Sequence, residues 1–172
     1  MNHDELAQGL EALHPASYGW AVSCCGWRSE DAEDVLQLSY MKILSGEARF
    51  DGRATLKTFV FAVIRRTAAE QRRRRWIRQL ALARWWEHRP VPRPSVDPET
   101  TTRNREMSRR LVAALQELPR RQRELLHLVF YQDLTVEEAA GVLDVSAGTA
   151  RTHFDRGKKR LRQLLETAEM PR

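Results

Sequence analysis

Apolar residues recur at spacings of three and four along most of this chain, which is the pattern of helices that bury one side. The clearest case lies between Leu56 and Thr67, where five apolar residues and Thr67 occupy positions i, i+3, i+4, i+7, i+8 and i+11. No segment shows the strict alternation expected of a half-buried strand. The hydrophobic pattern therefore predicts an all-α fold.

The N-terminal part of the chain is predicted to form four helices, of which the segment just described is the last. The first is expected to end before Pro15, the second at Gly26 and the third at Gly46. Ser29 is a residue type that commonly caps helices, so we expect it to cap the third helix. In that helix Asp31, Asp34 and Gln37 follow one another every three residues and define a polar, mainly acidic side.

The helical pattern is interrupted in the middle of the chain by Pro90, Pro92, Pro94 and Pro98. Proline lacks a backbone N–H and favours an extended chain, so residues 89–106 are predicted to form a flexible linker. The sequence thus predicts two small helical domains, 1–88 and 107–172, on either side of it.

The C-terminal domain contains two predicted helices separated by a very short turn. Thr135 and Glu138 have the spacing of a capping box at the start of the first helix. Ser146 can cap the second helix, in which Ala150 and Phe154 lie on an apolar side. The remaining sides are polar and mostly basic, and they carry Arg151, Thr152, Asp155, Arg156 and Lys159.

The basic side of a single amphipathic helix is most often only a solvent-exposed surface, and one such helix alone would not indicate DNA binding. Here two caps, a short turn and matching apolar stripes occur together, which predicts a helix-turn-helix. In such a motif Arg side chains can bridge two acceptors on guanine in the major groove. The net charge of +6 and the isoelectric point near 9.9 also favour a polyanionic partner.

A second basic element is the run Arg72–Arg75, which continues the fourth helix beyond Arg65 and Arg66. Four consecutive side chains cover all sides of a helix, so some of them must face solvent or a polyanion. We expect this run to contact nucleic acid.

Catalysis and metal binding are not indicated. The histidines and the acid pair Asp31/Asp34 have no triad or ligand spacing, and Cys24 and Cys25 are adjacent without further ligands. We expect no cofactor, no metal and no enzymatic activity. No stretch approaches 18 apolar residues and no signal peptide is recognisable, so a soluble, cytoplasmic protein without membrane insertion is expected.

Three segments together resemble the extracytoplasmic-function (ECF) group of bacterial sigma-70 factors. They are DAEDVLQ (residues 31–37), RFDGRATLKTFVFAVIRRTAAEQRRRR (49–75) and the segment from LQELPRR to RLRQLL (115–165). The resemblance covers about residues 10–75 and 108–165, and it implies a sigma2-like four-helix domain followed by a sigma4-like helix-turn-helix domain.

The resemblance also implies partners and roles. Asp31, Asp34 and Gln37 match the segment that docks on the β′ clamp of core RNA polymerase, and the second domain would approach the β flap. An anti-sigma factor or another regulatory protein is a further implied partner. Residues implied in recognising the −10 promoter element are Phe50, Arg53, Thr55, Lys57, Arg65 and Arg66. Residues implied in recognising the −35 element are Thr149, Arg151, Thr152, Asp155, Arg156 and Lys159.

The resemblance predicts a promoter-specificity subunit of RNA polymerase, and two other binding functions stay open. A one-component helix-turn-helix regulator would dimerise on a palindromic operator, but it would have no evident use for the basic cluster that begins at Arg65. A sigma-like decoy would sequester an anti-sigma factor without touching DNA, and its recognition helix is expected to have lost its basic face.

Overall fold

The computed structural model describes residues 2–83 and 102–169, and every regular element in these two ranges is an α-helix. The helices form two compact units, α1–α4 in the first and α5–α8 in the second. In chain order they are α1 (His3–Ala12), α2 (His14–Cys24), α3 (Ser29–Leu44), α4 (Leu56–Ala83), α5 (Thr102–Glu117), α6 (Arg120–Phe130), α7 (Val136–Leu143) and α8 (Ala147–Glu169). The predicted all-α fold is confirmed.

The first unit is built around aromatic side chains from α2 and α4. Trp20 and Phe61 are completely buried, with ring centroids 6.0 Å apart. The indole Nε1 of Trp20 donates to the backbone oxygen of Phe61 at 3.0 Å, so the polar atom of this large apolar side chain is satisfied in the interior. Ile64 of α4 and Val35 of α3 are also buried in this core, which joins the two helices.

One predicted helix start is wrong. Ser29 is the first residue of α3, and Arg28 occupies the cap position without a side-chain cap hydrogen bond. The first turn nevertheless contains Glu30 and Asp31. Their negative charge interacts favourably with the helix N-terminus, so this helix does not depend on a hydroxyl cap.

Helix α4 is much longer than the part of it that packs in the core. Its 28 residues begin after Thr55, and its last fully packed side chain is Ala68, which is 3% exposed. Further along, Trp76 is 60% exposed and Ile77 is 51% exposed. The adjacent residues Trp85 and Trp86 and the prolines of the predicted linker lie outside the described residues, whereas residues 102–106 of that predicted linker belong to α5.

The second unit has an aliphatic core that also contains a charge pair. Leu125, Leu128 and Leu143 are buried, and Glu124 is only 1% exposed beside them. Arg120, one turn earlier on α6, donates from Nε to Glu124 Oε1 at 2.5 Å. This pairing offsets part of the cost of burying a carboxylate.

Among the helices in the described ranges, none combines the length and the apolar character needed to cross a membrane.

Candidate nucleic-acid and protein interfaces

Helices α7 and α8 form the predicted helix-turn-helix, and both predicted caps are present. The Thr135 side chain accepts from the backbone N–H of Glu138, and the Glu138 side chain accepts in return from the backbone N–H of Thr135. Ser146 Oγ accepts from the N–H of Thr149 at 3.1 Å at the start of α8. Between them Asp144 closes α7 in the left-handed conformation, with φ 52° and ψ 55°.

The two sides of α8 are divided as the sequence predicts. Ala150 is completely buried, and Gly157 is buried where a Cβ atom would lie only 3.2 Å from Cβ of Gln122 on α6. This close approach of α8 to α6 fixes which side of α8 faces outward. The exposed residues of α8 include all six predicted −35 contacts: Thr149, Arg151, Thr152, Asp155, Arg156 and Lys159.

Several of these exposed residues are already oriented by hydrogen bonds and ion pairs. The hydroxyl of Thr152 donates to the oxygen of Gly148 at 3.0 Å, and Asp155 lies 3.4 Å from Nζ of Lys158. Arg151 donates from Nη2 to Oε1 of Glu137 at 2.5 Å. The side-chain hydrogen bond from Arg151 is the main cause that lowers the pKa of the Glu137 carboxyl, with a contribution from the backbone amide of Glu137 itself.

A residue that the sequence analysis did not single out supports the turn of this motif. Arg121 on α6 donates from Nη1 to the backbone oxygen of Leu143 at 2.8 Å. Leu143 is the last residue of α7, whose terminal carbonyls lack partners within the helix. The sequence around Arg121 does not indicate this role, because the arginine lies in an arginine-rich segment and its partner is 22 positions away.

Each of the predicted −10 residues before α4 makes a contact with a residue nearby in the sequence. Phe50 packs against Phe59 with ring centroids 5.3 Å apart. Thr55 Oγ1 accepts from the N–H of Thr58 at 3.1 Å and thereby caps α4. Arg53 extends into solvent with 88% of its side chain exposed, and it contacts Asp51 at 3.4 Å. The segment before α4 therefore contains both an aromatic side chain that packs on α4 and an exposed cation.

The other predicted −10 residues lie on α4 itself. Nζ of Lys57 is 5.8 Å from the centroid of the Phe61 ring. Arg66 is exposed, and its Nε donates to the oxygen of Ala62 at 3.3 Å, while Arg65 is partly buried.

The arginine run further along α4 is also largely accessible, since Arg72, Arg73 and Arg74 are exposed. The cations thus extend along α4 past its buried part.

The predicted polymerase-docking residues are not equivalent. Asp34 and Gln37 are exposed on α3, whereas only 11% of the Asp31 side chain is exposed. Asp31 binds Nε of Arg28 at 3.0 Å and accepts two hydrogen bonds from the guanidinium of Arg75. These hydrogen bonds are the largest cause that raises the pKa of Arg75. Asp31 therefore joins the start of α3 to the arginine-rich part of α4.

Within residues 2–83 and 102–169, no group of His, Cys, Asp or Glu side chains is arranged to hold a metal ion. In the described part of the chain, neither Cys24 nor Cys25 takes part in a disulfide bond. The described surfaces offer cations, aromatic rings and hydrogen-bonding side chains, which are the groups that bind nucleic acids and protein partners.

Both units match models of one protein family. The model described as Sigma-70 region 2 matches residues 10–78, and the model described as Sigma-70, region 4 matches residues 108–161. The first match contains α2, α3 and most of α4, and the second contains α7 and the part of α8 up to residue 161.

Curated relatives match both units within single proteins. The chain is 31% identical over 136 residues to the ECF RNA polymerase sigma factor SigX of Bacillus subtilis, covering 78% of this chain and 70% of that protein. It is 30% identical over 141 residues to the RNA polymerase sigma-E factor of Streptomyces antibioticus, covering 81% and 73% respectively.

Solved structures show the same fold. The sigma factor RpoE in complex with the anti-sigma factor NepR from Bartonella quintana superposes with a TM-score of 0.74, at 24% identity, covering 94% of this chain and 97% of that one. The structure of CnrH in complex with the cytosolic domain of CnrY superposes with a TM-score of 0.65 at 21% identity, covering 98% of this chain and 92% of that one. Taken with the two matched regions and the relatives, this fold leads to one conclusion: the chain belongs to the ECF group of sigma-70 RNA polymerase sigma factors.

Proposed function

We propose that this protein, as a member of its family, binds core RNA polymerase and directs transcription from promoters whose −10 and −35 elements it reads with separate units. The observation that carries this proposal is the exposed, mainly basic side of α8, which is set by the burial of Ala150 and Gly157 on the opposite side. We propose binding rather than catalysis as the whole activity, in the cytoplasm where polymerase acts.

Polymerase docking is proposed for α3. Asp34 and Gln37 would contact basic and polar groups of the β′ clamp directly, because both are exposed on one helix. Charge complementarity of this kind mainly sets register and association rate. Asp31 would act through the fold, since its carboxylate is engaged by Arg28 and Arg75.

Capture of the −10 element is proposed for the loop before α4 and the exposed side of that helix. Single-stranded DNA is bound by aromatic or apolar surfaces for bases and by cations for the phosphate backbone. The aromatic surface would be the pair of Phe50 with Phe59. The cations would be Arg53, Lys57 and Arg66. Thr55 would hold the loop to the helix through its cap, and Arg65 would add a further cation.

Recognition of the −35 element is proposed for α8 in the major groove. Base edges would be read by Arg151 and Arg156. Bases or phosphates would be contacted by Thr149, Thr152 and Lys159. Asp155 would accept a hydrogen bond from a cytosine amino group. The β flap would hold this unit at its upstream position. An anti-sigma factor is a proposed regulator, because the RpoE structure with the same fold is a complex with NepR.

The deciding experiment is in vitro transcription with purified core polymerase, the full chain and a promoter library. We expect initiation at a defined subset of promoters that core enzyme alone does not select. Arg156→Ala should lower discrimination at one −35 base pair by about 1–3 kcal/mol. If the full chain gave core polymerase no start-site selectivity, the proposed function would be refuted.

A further inference from the structure

An exposed ion pair connects the two helices of the helix-turn-helix. Glu137 lies in the first turn of α7 and Arg151 lies near the start of α8, and their Oε1 and Nη2 atoms are 2.5 Å apart. Side-chain exposure is 53% for Glu137 and 67% for Arg151. Surface pairs of this kind add little to folding stability, so stability does not account for a close contact at this position.

Capping does not require the Glu137 side chain either. The cap of α7 consists of Thr135 and Glu138, which satisfy each other's backbone N–H groups. The carboxylate of Glu137 is therefore available to act on α8, where its partner is a residue proposed to read the −35 element.

The chemistry of arginine explains what such a contact can do. The guanidinium has five N–H donors in a planar fork, so a bond through Nη2 fixes the plane while leaving donors for two acceptors on guanine. The long arginine side chain otherwise samples many rotamers, and ordering it on binding lowers affinity. The carboxylate also offsets one positive charge, which weakens attraction to phosphates of any sequence.

We propose that Glu137 is a positioning residue for base recognition: it orients Arg151 towards one −35 base pair and reduces sequence-independent binding. The proposal rests on the proposed function, in which α8 lies in the major groove. Glu137 itself need not touch DNA, and its effect is expected at the base pair read by Arg151.

The test compares four variants of the full chain assembled with core polymerase: Glu137→Gln, Arg151→Ala, the double variant, and Glu166→Gln. Glu166 is an exposed residue of α8 outside the proposed contacts, so its variant matches the charge change. Promoters randomised at the −35 element and constant elsewhere are transcribed and sequenced, which gives the base preference at each position. Thermal unfolding of each variant is recorded alongside.

Arg151→Ala should reduce the preference at one base pair by roughly 5-fold to 100-fold. Glu137→Gln should reduce the preference at that same base pair by about 3-fold to 10-fold, and transcription from unmatched sequences should rise. The double variant should show the same preference at that base pair as Arg151→Ala alone, because Glu137 would influence that preference only through Arg151. Glu166→Gln should leave the base preference unchanged.

The inference is overturned if Glu137→Gln leaves the preference intact, sharpens it, or alters all −35 positions equally. Loss of preference accompanied by a matching loss of thermal stability also overturns it, because a structural role would then suffice. If Arg151→Ala itself leaves every base preference unchanged while transcription stays promoter-selective, the assignment of Arg151 under the proposed function fails. That result is distinguishable from failure of the positioning role alone.

Discussion

At the scale of single residues, two aspartates in one short motif have different environments. Asp34 is exposed, whereas Asp31 is held by Arg28 and Arg75 and has little accessible surface. Their spacing of three residues predicts the same side of a helix, but that side of α3 is partly covered by α4. Position in the motif therefore does not by itself identify a partner-binding carboxylate.

This difference predicts that a substitution at Asp34 affects polymerase binding, whereas a substitution at Asp31 affects folding stability. Asp34→Lys should weaken association with core polymerase and leave unfolding unchanged, because it reverses an exposed charge. Asp31→Asn should lower the free energy of unfolding by about 1–2 kcal/mol by weakening charge-assisted hydrogen bonds to a partly exposed guanidinium. Pull-down of core polymerase and urea denaturation measure the two effects. A loss of polymerase binding for Asp31→Asn with unchanged stability would contradict this assignment.

His127 gives the second unit a specific response to acid. Burial lowers its pKa from 6.5 to about 4, and the ring stacks on Tyr131 with centroids 5.4 Å apart. The unfolded chain binds a proton at higher pH than the folded chain does, so stability is lost as pH falls from above 6.5 towards 4. The loss attributable to this group is about 3 kcal/mol, at roughly 1.36 kcal/mol for each pKa unit.

We expect His127→Gln to flatten this pH dependence. Amide hydrogen exchange of α6 and α8, measured from pH 7 to pH 4.5, reports the stability of the second unit. His3→Gln, which changes an exposed histidine of α1, should retain the slope of the parent protein. An identical slope for parent and His127→Gln would show that His127 does not cause the acid sensitivity.

At the scale of elements, the outward side of α8 depends on its contact with α6. Gly157 is buried, and a Cβ atom there would lie 3.2 Å from Gln122 and 3.4 Å from Leu126. Gly148, also on α8, is exposed and has no such neighbour within 4 Å. The two glycines therefore allow the same substitution to be compared in crowded and open surroundings.

Gly157→Leu should destabilise the second unit by about 1–3 kcal/mol, because the added side chain overpacks the contact between α8 and α6. Gly148→Leu should be neutral or stabilising by up to about 1 kcal/mol, because leucine has the higher helix propensity. Chemical denaturation followed by circular dichroism compares them. Equal stability of the two variants would mean that α8 does not pack closely at Gly157.

Helix ends illustrate what local sequence can determine. The capping box of Thr135 with Glu138 and the cap at Ser146 were predictable, because each involves residues within three positions of one another. The bond from Arg121 to Leu143, which supports the same motif, crosses from α6 to α7. No local pattern indicates which of several nearby arginines will make it.

At the scale of the whole molecule, the placement of cations matters more than the net charge of +6. Three cations are paired with carboxylates: Arg75 with Asp31, Lys42 with Glu70 and Arg151 with Glu137. Exposed cations are concentrated on α8 and on the last part of the described α4. Binding of DNA should therefore depend on a limited number of phosphate contacts.

Promoter affinity of the polymerase complex should fall with salt by roughly 0.9 log units per tenfold increase for each phosphate contact. Lys159→Gln should reduce this slope by about 0.9, since one contact is lost. Lys42→Gln serves as the control, because Lys42 is paired with Glu70 at 2.7 Å in the first unit. A Lys159→Gln slope equal to that of the parent would remove Lys159 from the proposed phosphate contacts.

The sequence by itself determined the helical fold, the helix-turn-helix with its caps, and the family resemblance, because these depend on short-range spacing and on the side-chain types along one helix. Tertiary structure decided which members of each predicted set are accessible. Asp31 was withdrawn from the surface by an arginine 44 positions away, and Arg151 was paired with a glutamate 14 positions away. Such pairings form only when packing brings separate helices together, so residue spacing cannot specify them.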